Sequence, residues 1–439
     1  MEINNFKAEK FSQSITLKAV IIGFLTLLML IPGSMIQGLI QERQARSQET
    51  ISKINAKWSN SQTINGPVLV IPYQKKTTDS KNNAVTETHS FTLAPENLSI
   101  KSTLIPEERH YGIYKSILYN SKLLISGNFK PTDSLQFDGV PQWQSAYLRI
   151  GISDLRGISN NIDFDLNGKH FGAFAGGGND FVGEGLIIPL KNTDFLPSNL
   201  PISFSSKLDL KGSSDINFIP VAQTTNVKVS GKWKSPGFIG SFTPEYKLDN
   251  EGFNADWKVL HFNRNIPETW TDTDFSAKED MSFGVNLINT VDHYQLNMRS
   301  AKYSLMFIAL TFVVFFFVEL LTRTKIHPIQ YLLVGIALIL FYSLLLSLSE
   351  QLSFGLAYLL AGIATIGLIV VFAHKIFKNR KQTGILALIL TILYIYLYVI
   401  LQLEDVAMLI GSIGLFIILA IIMFLTQRIK WYKDELLEK

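Results

Sequence analysis

Six apolar stretches divide this chain: one near its start, then a long polar insert over 41–302, then five in the last third. They run near Ile15–Ile40, Tyr303–Thr322, Ile329–Leu348, Phe354–Ala373, Gly384–Leu401 and Val406–Thr426. Each supplies the ~20 residues that a ~30 Å hydrocarbon core requires. The pattern predicts six transmembrane α-helices, one before the insert and five after it. A cleaved signal peptide is the rival reading of the first stretch. A long polar lead precedes it, no small-residue cleavage site follows, and Pro32-Gly33-Ser34-Met35-Ile36 returns to apolar residues, so a retained helix is expected, with Pro32 a kink candidate.

Inside the insert the period changes. Leu39, Ile40, Ile51, Ile54 and Trp58 recur at helical spacing among Glu, Arg and Gln, which predicts an amphipathic stalk that ends near Ile64, before Asn65-Gly66-Pro67. Beyond it the alternation is two. Val68–Ile71 reads as a buried strand, Asp79–Asn83 as a turn and Val85–Leu93 as its hairpin partner. Leu123–Phe129, Tyr147–Ile152, Leu186–Leu190, Ile202–Leu210, Asn226–Trp233 and Phe253–Leu260 alternate likewise. An antiparallel, all-β domain follows, either sandwich-like or two sheets in series. The glycine-rich run Gly172–Gly185 lacks the following helix and the Lys-Ser/Thr of a phosphate loop, so it is expected to be a mobile loop between strands.

Charge adds orientation. The thirteen Lys and Arg outside the insert, from Lys7, Lys10 and Lys18 to Lys433 and Lys439, all fall on one face when the spans are threaded back and forth. The short loops on the other face carry only Glu350, Glu404 and Asp405. By the positive-inside rule the basic face is cytoplasmic and the insert periplasmic. The expected organisation is a cytoplasmic N-terminus (1–14), transmembrane helix 1 (15–40), a helical stalk (41–65), a periplasmic β domain (66–302), a five-helix transmembrane bundle (303–426) and a cytoplasmic tail (427–439). Both termini are then cytoplasmic in a multi-pass protein of the bacterial inner membrane. The insert has equal numbers of acidic and basic residues, which argues against nucleic-acid binding; the excess of 40 Lys and Arg over 36 Asp and Glu belongs to the cytoplasmic segments.

The absence of cysteine excludes disulfides, a thiolate nucleophile and Cys-ligated metal sites. Seven scattered histidines form no H-E-x-x-H pair and there is no G-x-S-x-G elbow, so no catalytic residue, cofactor or metal site is assigned. Four acids in the membrane region remain as candidate functional residues. Glu319 lies within the second span, where an ionisable group is costly; a local pair with Arg323 is the plainer reading. Glu350, Glu404 and Asp405 lie at the outer ends, where they either set topology or form an acidic mouth. In the insert, Asp154 and Arg156 read as pinning a turn, and Asp163 with Asp165 is a weak acidic pair.

Ala309-Leu310-Thr311-Phe312, Phe316 to Glu319, His327-Pro328-Ile329-Gln330-Tyr331-Leu332-Leu333-Val334-Gly335 and Phe341 to Glu350 together resemble the CreD family. Gly66-Pro67 with Pro72, Ser153-Asp154-x-Arg156-Gly157, Trp233-x-x-Pro236-x-Phe238-x-Gly240, Gly252-Phe253-x-Ala255-x-Trp257 and Trp431-Tyr432 extend the resemblance over nearly the whole chain. At Gln351 the chain departs from the family pattern, which has His after Ser-Glu, so no metal or proton role is carried over to that pair. The resemblance implies an inner-membrane protein of envelope maintenance, linked to colicin tolerance and stress response, with no catalytic residues to transfer. The leading expectation is therefore a non-enzymatic envelope-integrity protein in the lipid bilayer, its β domain engaging a periplasmic protein or glycan. A transporter or channel component built on the five-helix bundle and Glu319 is the second. A membrane-bound enzyme acting on envelope polymers is the third. The sequence leaves the oligomeric state open.

Overall fold

The computed structural model describes residues 15–78, 83–177, 182–191, 196–271, 281–287, 293–322, 324–403 and 406–427. The chain divides into two compact units, a helical one comprising Met1–Arg46 with Val291–Lys439, and a β unit over Ser47–Thr290.

The helices are α1 (Ile15–Leu28), α2 (Leu30–Trp58), α3 (His293–Lys302), α4 (Ser304–Thr322), α5 (Pro328–Ser349), α6 (Phe354–Phe377), α7 (Arg380–Gln402) and α8 (Ala407–Thr426). Among the described residues, four are long and apolar enough to cross a bilayer: α1 with α2 as Leu17–Trp58, then α5, α6 and α7. A fifth arises if α3 and α4, bent by 47° where they meet, count as one span. The apolar part of α8, Leu409–Phe424, is shorter. Length and composition thus give four to five crossings against the six expected. The difference lies in the bend at Tyr303 and in the short last helix. At the bend the Tyr303 N–H turns to the carbonyl of Ser300 at 3.1 Å, one residue nearer than an α-helix requires.

Helix α3 was expected inside the β domain. It belongs instead to the helical unit, and its buried residues include Tyr294, Asn297 and Ser300. On this buried polar face the Asn297 amide donates to the Ser349 hydroxyl at 2.7 Å, while the Asn297 side-chain oxygen and the Ser300 hydroxyl have no hydrogen-bond partner among the described residues. The core of the helical unit gathers Phe307, Phe312, Phe315, Phe341 and Tyr394. Gly335 of α5 lets the helices close in: a Cβ there would lie 2.9 Å from the Met29 sulfur and 3.0 Å from Phe312. Small residues serve this purpose between membrane helices, where packing rather than the hydrophobic effect holds the bundle.

In the β unit the strands are β1 (Gln62–Thr78), β2 (Ala84–Leu93), β3 (Asn97–Tyr111), β4 (Tyr114–Phe129), β5 (Val140–Pro141), β6 (Tyr147–Ile152), β7 (Asp163–Leu166), β8 (Lys169–Gly172), β9 (Phe174–Gly176), β10 (Gly185–Pro189), β11 (Ile202–Ser213), β12 (Asp215–Ile219), β13 (Thr224–Gly231), β14 (Gly237–Gly240), β15 (Glu245–Leu248), β16 (Phe253–Leu260), β17 (Thr269–Thr271) and β18 (Phe283–Asn286). One sheet runs β14-β18-β12-β1-β6-β10-β9, with β2 and β5 also on β1 and β17 on β2; the other runs β15-β16-β13-β3-β4-β11-β7-β8. Ile64, Leu148 and Ile188 of the first sheet and Ile100, Ile125 and Leu208 of the second share one hydrophobic cluster. Alternation along β11 and β16 is the cause, since every second side chain turns into that core.

The expected hairpin is present, with Leu69 opposite Leu93 and Thr78 opposite Ala84; Asp79–Asn83 lies largely outside the described residues. The sheets are not wholly antiparallel. β1 runs parallel to β12, and β3 parallel to β13. Period-two patterning cannot reveal strand direction, because both kinds of ladder alternate side chains. Three further expectations need correction. The helix ends at Trp58 rather than Ile64, and Gln62 already begins β1. Gly66-Pro67 is no terminator: it lies within β1, where the register against β6 shifts between Asn65 and Val68 and Gly66 adopts φ +100°. Part of the glycine-rich run is strand β9, which pairs with β10; at Gly176 a Cβ would strike the Ile187 side chain at 2.3 Å, so the glycine there permits packing. Residues 178–181 of that run lie outside the described residues.

Candidate functional site

Helix α4 is apolar almost throughout, and its one carboxylate, Glu319, is 5% exposed. Lys18 of α1 forms an ion pair with its Oε1. The Ile326 N–H donates to the same oxygen at 3.2 Å, and the Tyr331 hydroxyl donates to Oε2 at 3.0 Å. One side chain therefore joins α1, the connection after α4, and α5. The start of α5 is itself well defined: Pro328 occupies its first turn, the His327 ring accepts from the Ile329 N–H, and Gln330 accepts from the His327 N–H. This capping fixes where Tyr331 emerges. Its ring then packs edge-on to Phe312 at 5.7 Å.

A buried acid with one cation and two neutral donors has its charge balanced and its lone pairs engaged. Such a pair adds little net stability over an apolar packing, yet removing one partner costs about 3–5 kcal/mol because a buried charge is left alone. Its evident effect is to hold three segments in one register. The local partner expected from sequence, Arg323, lies outside the described residues; the described cation is Lys18, distant in the chain. That pairing carried a signal. Lys18 opens the first span and Glu319 closes the second, so threading brings them to the same end.

The second cluster sits at the far end of α5, which Glu350 caps. The Tyr294 hydroxyl donates to Glu350 at 3.2 Å, and Arg43 of α2 approaches at 3.9 Å, the outer limit of an ion pair. Beside it the Asn297 amide bonds Ser349 and the His293 carbonyl. Tyr331 and Glu350 are separated along α5 by roughly 28 Å at 1.5 Å per residue. The buried side chains between them include Val334, Leu338, Phe341 and Leu345. The structure therefore does not bring Glu319 and Glu350 together. The Thr391 hydroxyl, one of the few others in the spans, donates to the Ala387 carbonyl of its own helix. Glu404 and Asp405 lie outside the described residues.

The β unit holds a third polar constellation. Asp154 caps a turn of 3₁₀ helix, Leu155–Gly157, and takes a forked hydrogen bond from Arg156 at 2.8 and 2.6 Å. Its carboxylate also accepts the Asn60 N–H at 2.9 Å, while Arg156 donates to the Ala56 carbonyl at 2.7 Å. The pair therefore grips the last turn of α2 and the residues after it, a reach that turn-pinning alone did not suggest. The Arg156 hydrogen bond holds the Asp154 carboxyl well below its usual 3.8, at about 2. Asp163 and Asp165 lie on the outward face of strand β7, whose Phe164 and Leu166 are buried in the core. Asp163 faces His170 at 2.8 Å and Asp165 accepts the Gly168 N–H, both local turn contacts. Among the described residues no group of three His, Asp or Glu could hold a metal ion.

These features lie within a sequence that comparison places firmly. The family described as "Inner membrane protein CreD" matches residues 14–432. The chain belongs to the CreD family. The inner membrane protein CreD of Escherichia coli (strain K12) is similar to this CreD-family chain, at 31% identity over 423 residues, 93% of this chain and 92% of the relative. The CreD match takes in both compact units and every residue of the two membrane clusters. This CreD-family chain is a membrane protein with four to five apolar helices and a large β-sheet domain.

Proposed function

We propose that the chain is a six-span inner-membrane protein that maintains cell-envelope integrity without catalysis. Its termini are cytoplasmic, and its β domain is periplasmic and engages an envelope protein or glycan. One observation carries the reading: all thirteen basic residues outside the insert thread to one face, while the insert over 41–302, between the first span and the rest, has no net charge. Membership in a family described as inner membrane protein supports the compartment. The helical unit anchors the domain, and the Glu319 cluster holds its helices in register. Two measurements test this. In a deletion strain, detergent sensitivity and periplasmic leakage should rise under envelope stress and return with the restored gene; unchanged values overturn the function. The chain has no cysteine, so Phe262→Cys, at a site 84% exposed, should react with a membrane-impermeant thiol reagent in intact spheroplasts. Reaction only after lysis overturns the orientation.

A transporter reading draws on the same buried carboxylate. On that reading Glu319→Gln abolishes function while the protein remains folded and inserted. Wild-type complementation by the variant removes its support.

A further inference from the structure

Within the helical unit, α4, α7 and α8 line an apolar groove of about 560 Å³. Its floor is a stripe of α7: Ile385, Ile389, Ile392, Leu393 and Tyr396, spaced to fall on one helix face. Helix α4 lines it over 310–318 and α8 over 414–422. Helix α7 meets both walls. Its Tyr394 ring lies edge-on to Phe307 of α4 at 5.8 Å, and its Tyr396 hydroxyl donates to the Ile410 and Gly411 carbonyls of α8 at 3.1 and 3.2 Å. Those bonds engage the one polar group in the lining. Both contacts join the later part of α7 to the earlier part of its neighbour, so α7 runs antiparallel to α4 and α8.

The two ends of the groove differ. At one end the Tyr396 ring rests on Gly414, where a Cβ would strike it, and this contact closes the groove. The other end is basic. Lys381 lies one turn before Ile385 on the same stripe, and Arg380 opens the helix; both are exposed. Neither pairs with an acid among the described residues. The Asn379 side chain accepts the Lys381 N–H at 3.0 Å, which fixes where the stripe begins. In sequence, Arg323 and Lys325 follow α4, and Arg428 and Lys430 follow α8. All three helices therefore have basic residues next to this end. Depth is the second clue. Ile385 and Tyr396 stand roughly 17 Å apart along α7, close to half of a ~30 Å hydrocarbon core. The groove is one leaflet deep, and a partner helix crossing the bilayer needs about twice that length.

We propose that the groove is a phospholipid site: it holds one acyl chain of an anionic glycerophospholipid, with the phosphate against Lys381 and Arg380. A mostly apolar pocket of roughly 300–1,000 Å³ suits such a ligand, and basic pockets between membrane helices take anionic headgroups. An acyl chain reaches through one leaflet and ends there, as the groove does at Tyr396. Apolar walls do not choose among lipids; the cations at the mouth do. A lipid held in this way packs against both α4 and α8 and ties the last helix to the bundle. The site requires only that the helical unit lies in a bilayer, whichever way it faces.

The test uses the full chain, reconstituted into vesicles of equal phosphatidylethanolamine and phosphatidylglycerol, then taken into mild detergent for native mass spectrometry of the lipid it retains. The wild type should carry one phosphatidylglycerol, favoured over phosphatidylethanolamine by roughly fivefold or more. Arg380→Gln with Lys381→Gln should abolish that preference. Ile389→Trp fills the groove and should lower retention by a similar factor; Ile421→Trp does the same from the α8 wall if the first variant fails to fold. Leu388→Trp is the control, since Leu388 is 61% exposed on α7 outside the lining, and it should retain the lipid. No retained lipid in the wild type, or equal retention of the two lipids, overturns the proposal. A preference that survives in the double glutamine variant overturns it too, as does a loss in Leu388→Trp as large as that in Ile389→Trp.

Discussion

Glu319 and Glu350 are both acids near the end of an apolar helix, yet they are held in different ways. Glu319 is buried, and a lysine, a tyrosine hydroxyl and a backbone N–H all converge on it. Glu350 has one hydroxyl donor and an arginine at 3.9 Å, itself substantially exposed. Distance along α5 puts the two at opposite ends of the bundle. An acid's contribution therefore follows from what removal leaves behind. At Glu319 it leaves a cation beside apolar helices; at Glu350 it leaves one that solvent reaches.

This contrast can be broken by substitution. The largest effect is expected for Glu319→Ala or Lys18→Met alone, a loss of about 3–5 kcal/mol in resistance to denaturation in detergent. The double variant Lys18→Met with Glu319→Leu should recover most of it, and a double variant as unstable as either single one would show that the pair is not the unit that matters. Next, Tyr331→Phe removes one hydrogen bond to a charged group and should cost about 1.5–3 kcal/mol, with the fold retained by thermal melting. Asp154 gives an intermediate effect that titrates. Its folded value, about 2, lies below the ordinary 3.8, so its contribution is present in full above pH ~4 and is lost as pH falls toward 2. Unfolding of the wild type should therefore show an acid-dependent loss over that window, on the order of 1–2 kcal/mol, that Asp154→Asn lacks. The smallest effect is expected for Glu350→Gln or Arg43→Gln, below about 1 kcal/mol and weaker still in high salt. A loss at Glu350 equal to that at Glu319 would erase the distinction.

Much of the architecture was legible beforehand because it rests on periodicity. The strands Tyr147–Ile152 and Phe253–Leu260 appear at their expected bounds, and the hairpin between Val68–Ile71 and Val85–Leu93 pairs as expected. Local chemistry misled where a tertiary neighbour intervened. Gly66-Pro67 reads as a terminator by conformational preference, yet flanking strands hold it inside β1. His293–Lys302 is polar enough to pass for part of a soluble domain, yet it packs in the helical unit, where its Asn297 amide donates to Ser349. The parallel pairs β1–β12 and β3–β13 leave no mark on alternation at all. At the candidate site, the burial cost of Glu319 could be read from its place in an apolar run, and threading put Lys18 at the same end, but only the packing of α1 against α4 made Lys18 its partner.

The sequence by itself determined which segments are apolar, which alternate, and which carry the basic residues outside the insert. These are properties of single segments, and segment length, period and charge express them directly. Only the tertiary structure decided that Lys18 meets Glu319, that Asp154 and Arg156 grip the end of α2, and that β1 lies beside β12. Each depends on residues far apart in the chain reaching hydrogen-bonding distance, and no local pattern encodes such a distance.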